Sequence, residues 1–249
     1  ENCDIESGDD GICLKSSLNP CRNYVIRNNI VSSHTSPLKF GTSSAGGFID
    51  VNVSNCYFYD CPMGAIKLEL VDGGRMENID ISRITMENVG SPIFIRLGNR
   101  GRIYENFTQQ IQNADAKPEG APVGSIKKIR IRDVTATVIF PKDRWSDKKE
   151  TYVKTNTKDF TDRQRAQAGP IMIAGVPDHY IENVVLENIE ISYPGLGTEK
   201  DAKNEVAEDI ARYPEQFFFG VLPSWGAYIR HAKNIEFKQA LSDRNDYKI

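Results

Sequence analysis

Two kinds of short alternating segment follow each other along the chain. In the first kind, apolar residues occupy every second position and a polar residue closes the segment, as in residues 23–28, 50–55 and 78–83. The second kind begins with Gly or Pro and also alternates, as in residues 11–15 and 64–68. A period of two is typical of β-strands with one buried face. The pattern therefore predicts many short strands, with no long helix between them.

The closing positions of the first kind of segment recur at a steady interval. They are Asn2, Asn28, Asn55, Arg83, Asp133, Asn188 and Gln239. The first intervals are 26, 27 and 28 residues and the later ones 50, 55 and 51, as if one coil carried a long insertion each time. Short strands at this spacing cannot bury an apolar face alone, whereas stacked coils bury a continuous core. We therefore predict an all-β fold, a parallel β-helix with loop and helix insertions, forming one domain over residues 1–249.

Three insertions interrupt the predicted stack, at residues 99–124, 141–169 and 194–224. The third contains a helical-looking stretch, residues 200–213, and then the aromatic cluster 217–219. Insertions in solenoids tend to extend over one face, which is often the binding face. The alternative is that this segment packs onto the barrel. Trp225 and Tyr228 suit either sugar stacking or packing in the core.

The composition is that of an ordinary soluble globular protein, with 26% charged and 39% hydrophobic residues. The net charge of −3 gives no support for a nucleic-acid or membrane partner. No apolar run approaches the ~18 residues of a membrane span. The five cysteines include no CxxC pair that would indicate zinc, so we expect mostly free, buried thiols, with one disulfide left as an open alternative.

A pair of adjacent carboxylates, Asp9 and Asp10, stands between glycines just before a predicted strand. Two neighbouring aspartates repel each other, so a fold keeps them at low cost only in water or around a proton, a cation or a substrate. A turn is the simpler interpretation, because Asp and Gly are common turn residues.

Cations accompany this pair on the same predicted sheet. Aligning the coils places Lys39 and Lys67 on neighbouring rungs, about 4.8 Å apart, with Arg96 in the next outward column. Like charges directly opposite each other destabilise a sheet, so either solvent screens them or an anion lies between them. A carboxylate pair rimmed by cations suits acid–base chemistry on a negatively charged substrate.

Residues 2–5, leading into residues 8–16, closely resemble glycoside hydrolase family 28, the polygalacturonase and rhamnogalacturonase family of right-handed parallel β-helices. The segments that look like a bacterial branch of this family are residues 46–48, 72–74, 92–100 and 222–231. The resemblance extends over essentially the whole chain. It implies hydrolysis of pectin-type polysaccharide with inversion at the anomeric carbon, without metal or cofactor, by a secreted or periplasmic protein.

The resemblance also implies roles for the two aspartates. Asp9 matches the general acid of the family, and Asp10 matches one of the two carboxylates that activate water. The other carboxylate lies about one coil earlier in the family, which falls before Glu1. On this comparison the chain looks like a fragment that lacks its first coils, with the C-terminus as a candidate for a second truncation.

Substrate contacts follow from the same comparison. Lys67 matches the lysine of the Arg-Ile-Lys motif that grips the galacturonate carboxylate, although Ala65 replaces the arginine. Lys39 and Arg96 are candidates to supply the missing charge. The family's Gly-His-Gly histidine aligns with Ser36, two positions from His34, which makes His34 a candidate displaced equivalent.

We therefore predict a hydrolase of uronate-containing polysaccharide, with Asp9 as acid, Asp10 as base, and Lys67, Lys39, Arg96 and His34 as substrate contacts. Two alternatives stay open. One is a β-helix polysaccharide lyase, which would use a basic side chain and carboxylate-bound calcium. The other is a non-catalytic β-helix that binds carbohydrate, in which Asp9 and Asp10 form only a turn.

Overall fold

The computed structural model describes residues 1–102, 122–138, 143–146, 151–154, 161–195 and 197–244, with the backbone alone for 143–146, 151–154 and 241–244. Within these ranges the chain forms two long parallel sheets that alternate along the sequence. This is the predicted all-β parallel β-helix, and the prediction is confirmed.

The first sheet, sheet A, pairs in the order β1-β5-β7-β9-β11-β15-β17, with β3 and β4 also pairing with β7. Its strands are β1 (Asp4–Ser7), β3 (Cys21–Arg22), β4 (Val25–Arg27), β5 (Ile30–Ser33), β7 (Phe48–Cys61), β9 (Arg75–Val89), β11 (Ser125–Val138), β15 (Ile181–Tyr193) and β17 (Ala232–Arg244). The second sheet, sheet B, pairs in the order β16-β14-β10-β8-β6-β2. Its strands are β2 (Ile12–Leu14), β6 (Leu38–Phe40), β8 (Ile66–Leu70), β10 (Ile93–Leu97), β14 (Ile171–Ala174) and β16 (Ala227–Arg230).

The closing positions of the sequence repeat share one backbone conformation. All seven, from Asn2 to Gln239, have φ between 52° and 57°, in the left-handed region. Asn enters this region more readily than most residues, which explains its recurrence. Its side chains also stack from coil to coil: the Asn55 amide donates to Asn28 Oδ1 at 2.8 Å, and the Asn28 amide donates to Asn2 Oδ1 at 3.1 Å. The repeat therefore marks a corner of the coil.

The predicted alignment of the coils is confirmed by the register of sheet B. Leu38 pairs with Ile12 on one side and with Ile66 on the other, and Ile66 pairs with Ile93. These four side chains point inward to the apolar core, where Leu38, Ile66 and Ile93 are fully buried. The same register places Lys39 opposite Lys67 on the outward side, as predicted.

The insertions contain little regular structure among the described residues. The second contributes the antiparallel pair β12 (Asp143–Ser146) and β13 (Thr151–Lys154), and the helix α1 (Asp162–Gln167), which begins with a Thr161 capping box. The third contains two short 3₁₀ helices, Asp201–Lys203 and Gln216–Phe219. No helix in the described ranges has the length and apolar character needed to cross a membrane.

The predicted helix over residues 200–213 is wrong, because groups of the β-helix donate hydrogen bonds to the backbone carbonyls that a helix would need for its own hydrogen bonds. Arg230 donates to the carbonyls of residues 206 and 207, and Arg96 to those of residues 208 and 209. The backbone N–H of Asn99 donates to the carbonyl of Ile210 at 2.8 Å. These bonds hold the segment extended across sheet B.

Candidate functional site

The outward face of sheet B is covered over much of its length by residues 204–220, which we call the arm. Phe219 of the arm packs on Phe94 of β10, with ring centroids 6.4 Å apart, and joins a small apolar cluster with Met172 and Leu222. Every residue of β6, β8, β10 and β14 is buried, because the inward side chains lie in the core and the outward ones are covered. The aromatic residues of the third insertion therefore follow the packing alternative.

Asp9 and Asp10 lie beside this covered face, in the turn between β1 and β2. Asp9 is exposed and the side chain of Asp10 is 14% exposed. The Thr35 hydroxyl donates to Asp10 Oδ1 at 2.9 Å and lies 3.4 Å from Asp9 Oδ1, so the same hydroxyl contacts both carboxylates. The Ser33 hydroxyl donates to the Asp9 carbonyl at 2.6 Å, and the Ser7 hydroxyl donates to the Asp10 carbonyl at 3.2 Å. The two aspartates thus lie in a turn, with Asp9 exposed to solvent and the Asp10 carboxylate largely covered.

Lys39 connects the aspartate pair to the interior. Its side chain is only 2% exposed, and its ammonium nitrogen lies 3.3 Å from Asp10 Oδ2. The same nitrogen lies 3.5 Å from Glu215 Oε1 and 3.2 Å from the Tyr213 hydroxyl, both in the arm. Burial alone lowers the pKa of Lys39, but the acidic groups around it, Glu69 and Glu215 first, outweigh burial and raise the pKa above its ordinary value. Lys39 is therefore a firmly charged cation held against Asp10.

Glu215 is the anion between the two stacked lysines. Its Oε2 accepts a hydrogen bond from the ammonium group of Lys67, which is fully buried, while its Oε1 faces Lys39. The sequence argument required solvent or an anion between Lys39 and Lys67, and the protein supplies the anion itself.

Glu69 completes the buried charge cluster. It is fully buried, and neither of its carboxyl oxygens has a hydrogen-bond partner among the described residues. The nearest cation is Lys39, whose nitrogen lies 3.8 Å from Glu69 Oε2. Burial raises the pKa of Glu69 from 4.5 to about 8, against the opposing pull of the two lysines. Because the Glu69 carboxyl is largely neutral, the carboxylates of Glu215 and Asp10 balance the positive charges of Lys39 and Lys67.

The arginines of the site bind the protein's own groups. Arg96 is 1% exposed, and its guanidinium donates to carbonyls of the arm and to that of Gly175 at 3.0 Å. Burial, followed by the charge of Arg230, lowers the pKa of Arg96 to about 10. Arg100 makes a two-pronged contact with the Asp72 carboxylate, at 2.7 and 2.5 Å.

Some of the predicted site residues lie together at the surface, whereas others are buried beneath the arm. His34 is exposed and lies next to Thr35, one residue from the hydroxyl that contacts the aspartates. Lys39, Lys67 and Arg96 lie where the coil alignment places them, but the arm buries all three. A direct substrate contact by these cations would need the arm to move, and that role stays a prediction.

Sequence reasoning missed the contributions of Glu215, Tyr213 and Thr35. Nothing in the sequence around the arm residues indicated their contacts with the lysines, because only the folded chain shows that the arm crosses sheet B. Glu69 did give one: Lys67 and Glu69 both point outward from a strand of otherwise apolar residues, which indicates a covered face with paired charges.

The arrangement combines an exposed carboxyl group, Asp9, with a second carboxylate, Asp10, held against a fixed positive charge. Two carboxyl groups in such different surroundings can divide the roles of acid and base. The described residues contain no group of three or more His, Cys, Asp or Glu side chains placed to hold a metal ion. No protein-family model matches the chain, and a search of curated proteins finds no match.

Proposed function

We propose that the protein is a glycoside hydrolase that cleaves a uronate-containing, pectin-type polysaccharide with inversion at the anomeric carbon. The observation that carries the proposal is the Asp9–Asp10 pair, whose two carboxylates share the Thr35 hydroxyl but differ in exposure and in their contact with Lys39. The family resemblance adds the substrate class and a secreted or periplasmic location.

In the proposed reaction, Asp9 donates its proton to the glycosidic oxygen as the bond to the anomeric carbon breaks. A water molecule attacks the opposite side of that carbon, and Asp10 accepts its proton. The ammonium nitrogen of Lys39 lies 3.3 Å from Asp10 Oδ2 and so holds in place the carboxylate that is proposed to act as the base. His34, an exposed residue next to Thr35, is proposed to contact the sugar.

The acidic substrate is proposed on the family resemblance. Lys39 and Lys67 are buried and their charges are balanced by Glu215 and Asp10, so a direct contact with a uronate carboxylate requires the arm to move away from sheet B.

Product analysis on a panel of pectic oligosaccharides tests the proposal. We expect hydrolysis by the wild-type protein and a loss of about 10²-fold or more in turnover for Asp9→Asn and for Asp10→Asn, the scale for a positioned acid or base. The matched control is Asp178→Asn, an exposed aspartate at φ 65°, where Asn is equally well accommodated.

The alternatives give different results in the same experiment. A product with an unsaturated sugar ring, formed only with calcium, would identify a lyase. Carbohydrate binding without cleavage, unchanged in both aspartate variants, would identify a binding protein and refute the hydrolase.

A further inference from the structure

A concave surface lies at the end of sheet B opposite the aspartate pair. It is a cavity of about 770 Å³ between α1, the end of β15 and the residues that lead into β16. The residues that shape its apolar part are Pro170, Tyr193, Pro194, Leu222, Pro223 and Trp225. Nothing in the proposed mechanism uses this cavity.

Trp225 presents an aromatic surface at this cavity. Trp225 is 44% exposed, although its side chain is one of the largest apolar side chains. Tyr193 packs against it with ring centroids 5.9 Å apart, and the Tyr193 hydroxyl donates to the Gly226 carbonyl at 3.1 Å. The indole is therefore supported from behind and partly open in front. Such a surface suits the flat C–H face of a pyranose ring.

The charges that line the cavity are largely neutralised within the protein. Arg165 pairs with the Asp201 carboxylate and lies 3.1 Å from Asp162 Oδ1. Asp201 also accepts hydrogen bonds from the N–H and hydroxyl of Thr198, both at 2.7 Å. Burial would raise the pKa of Asp201, but these hydrogen bonds and Arg165 lower it. Arg165 is the one Lys or Arg in the described lining, and the exposed Glu199 adds a negative charge. The lining thus disfavours a uronate carboxylate.

The register of sheet B relates this cavity to the aspartate pair. Trp225 stands two residues before Ala227 on β16, and Asp10 stands two residues before Ile12 on β2. Ala227 and Ile12 lie in the same inward column, five rungs apart, through the pairings of β6, β8, β10 and β14. At about 4.8 Å per rung, Trp225 and Asp10 share one edge of the sheet at a separation of about 24 Å. An oligosaccharide chain spans that distance, whereas a disaccharide does not.

We propose that this cavity is a second saccharide site, which binds an uncharged pyranose residue of the polysaccharide with its apolar face on Trp225. The ring hydroxyls face Thr198 and Glu199. The uncharged residue is either a neutral sugar or an esterified uronate. The inference rests on the proposed function for the identity of the polymer, but not for the chemistry of the site.

Binding measurements on three polymers test the inference: methyl-esterified polygalacturonan, de-esterified polygalacturonan and a neutral galactan. They use the full chain carrying Asp9→Asn, so that cleavage does not interfere. We expect Trp225→Ala to weaken binding of the esterified polymer, of the galactan, or of both, by about tenfold. Binding of the de-esterified polymer stays unchanged, which also shows that the variant is folded. The polymer that responds identifies the source of the uncharged residue.

Two further variants sharpen the result. Trp225→Phe keeps an aromatic face, so we expect it to retain most of the binding. Tyr24→Ala removes an aromatic residue of similar exposure, 45%, beside sheet A, and we expect no effect on any polymer. Unchanged binding of all three polymers by Trp225→Ala would overturn the inference, as would an equal loss for Tyr24→Ala. If the wild-type protein cleaves none of the polymers but binds one of them through Trp225, the proposed hydrolase activity is refuted and the saccharide site is still supported.

Discussion

Replacing Glu215 by Gln tests whether the arm is held to sheet B by buried charge. The substitution keeps the size of the side chain and removes the negative charge between Lys39 and Lys67, whose side chains are 2% and 0% exposed. Breaking a buried ion pair by removing one partner costs about 3–5 kcal/mol, because the other charge is left buried without compensation.

The structure places the cost at the lower end of that range. Glu69 lies in the same cluster, and the negative charge of Glu215 is one of the causes that raise its pKa. When that charge is removed, Glu69 ionises more readily and takes over part of the balance. We therefore expect Glu215→Gln to lower the free energy of unfolding by about 3 kcal/mol near pH 7.

A double-mutant cycle separates this compensation from the simple loss of a contact. Glu69→Gln alone replaces a largely neutral buried carboxyl by a neutral amide and removes the cost of keeping that carboxyl protonated at pH 7, so we expect it to raise the free energy of unfolding. In the Glu69→Gln background no carboxylate is left to compensate, so we expect the added Glu215→Gln substitution to cost about 5 kcal/mol instead of about 3, a coupling of about 2 kcal/mol. Urea unfolding followed by circular dichroism measures all four proteins.

The control is Glu187→Gln, which removes an exposed partner of Arg130 in sheet A. Exposed pairs contribute little to stability, so its unfolding midpoint should match that of the wild type. A Glu215→Gln protein as stable as the control, or strictly additive effects of Glu69→Gln and Glu215→Gln, would refute the buried cluster.

Two further predictions concern Glu69 and Thr35. The folded state keeps the Glu69 proton up to about pH 8, whereas the unfolded chain releases it near 4.5. The wild type should therefore lose stability relative to Glu69→Gln as the pH rises through that window. A difference in urea midpoint between the two proteins that is the same at about pH 5 and about pH 9 would contradict this. Thr35→Val removes the hydroxyl that contacts both aspartates, so we expect kcat to fall about tenfold at an unchanged KM. Steady-state kinetics on a uronate oligosaccharide measures this, and a rise in KM alone would assign Thr35 to substrate binding.

The coil architecture could be predicted from the sequence because it depends on local regularities. Alternation fixes which side chains of β2, β6, β8 and β10 point inward, and the spacing of the closing residues fixes the register between coils. The left-handed backbone at Asn28 and Asn55 follows from the same repeat. One regular pattern therefore determined both the strands and their alignment.

The environment of the candidate site could not be predicted in the same way. The pairing of Glu215 with Lys67 joins residues 148 positions apart, and it depends on where the arm crosses the sheet. Helical propensity in residues 200–213 was overridden by Arg96 and Arg230, which take its carbonyl groups. Lys39 and Lys67 were placed correctly, but the sequence alone left open whether solvent or the protein faces them.

The stereochemistry of the product tests the central proposal most directly. Proton NMR, recorded in the first minutes of cleavage of a uronate oligosaccharide, reads the configuration of the new anomeric centre before it equilibrates. With Asp9 as acid and Asp10 as the base for water, a single displacement must give the inverted anomer. Early appearance of the retained anomer would contradict these roles for Asp9 and Asp10.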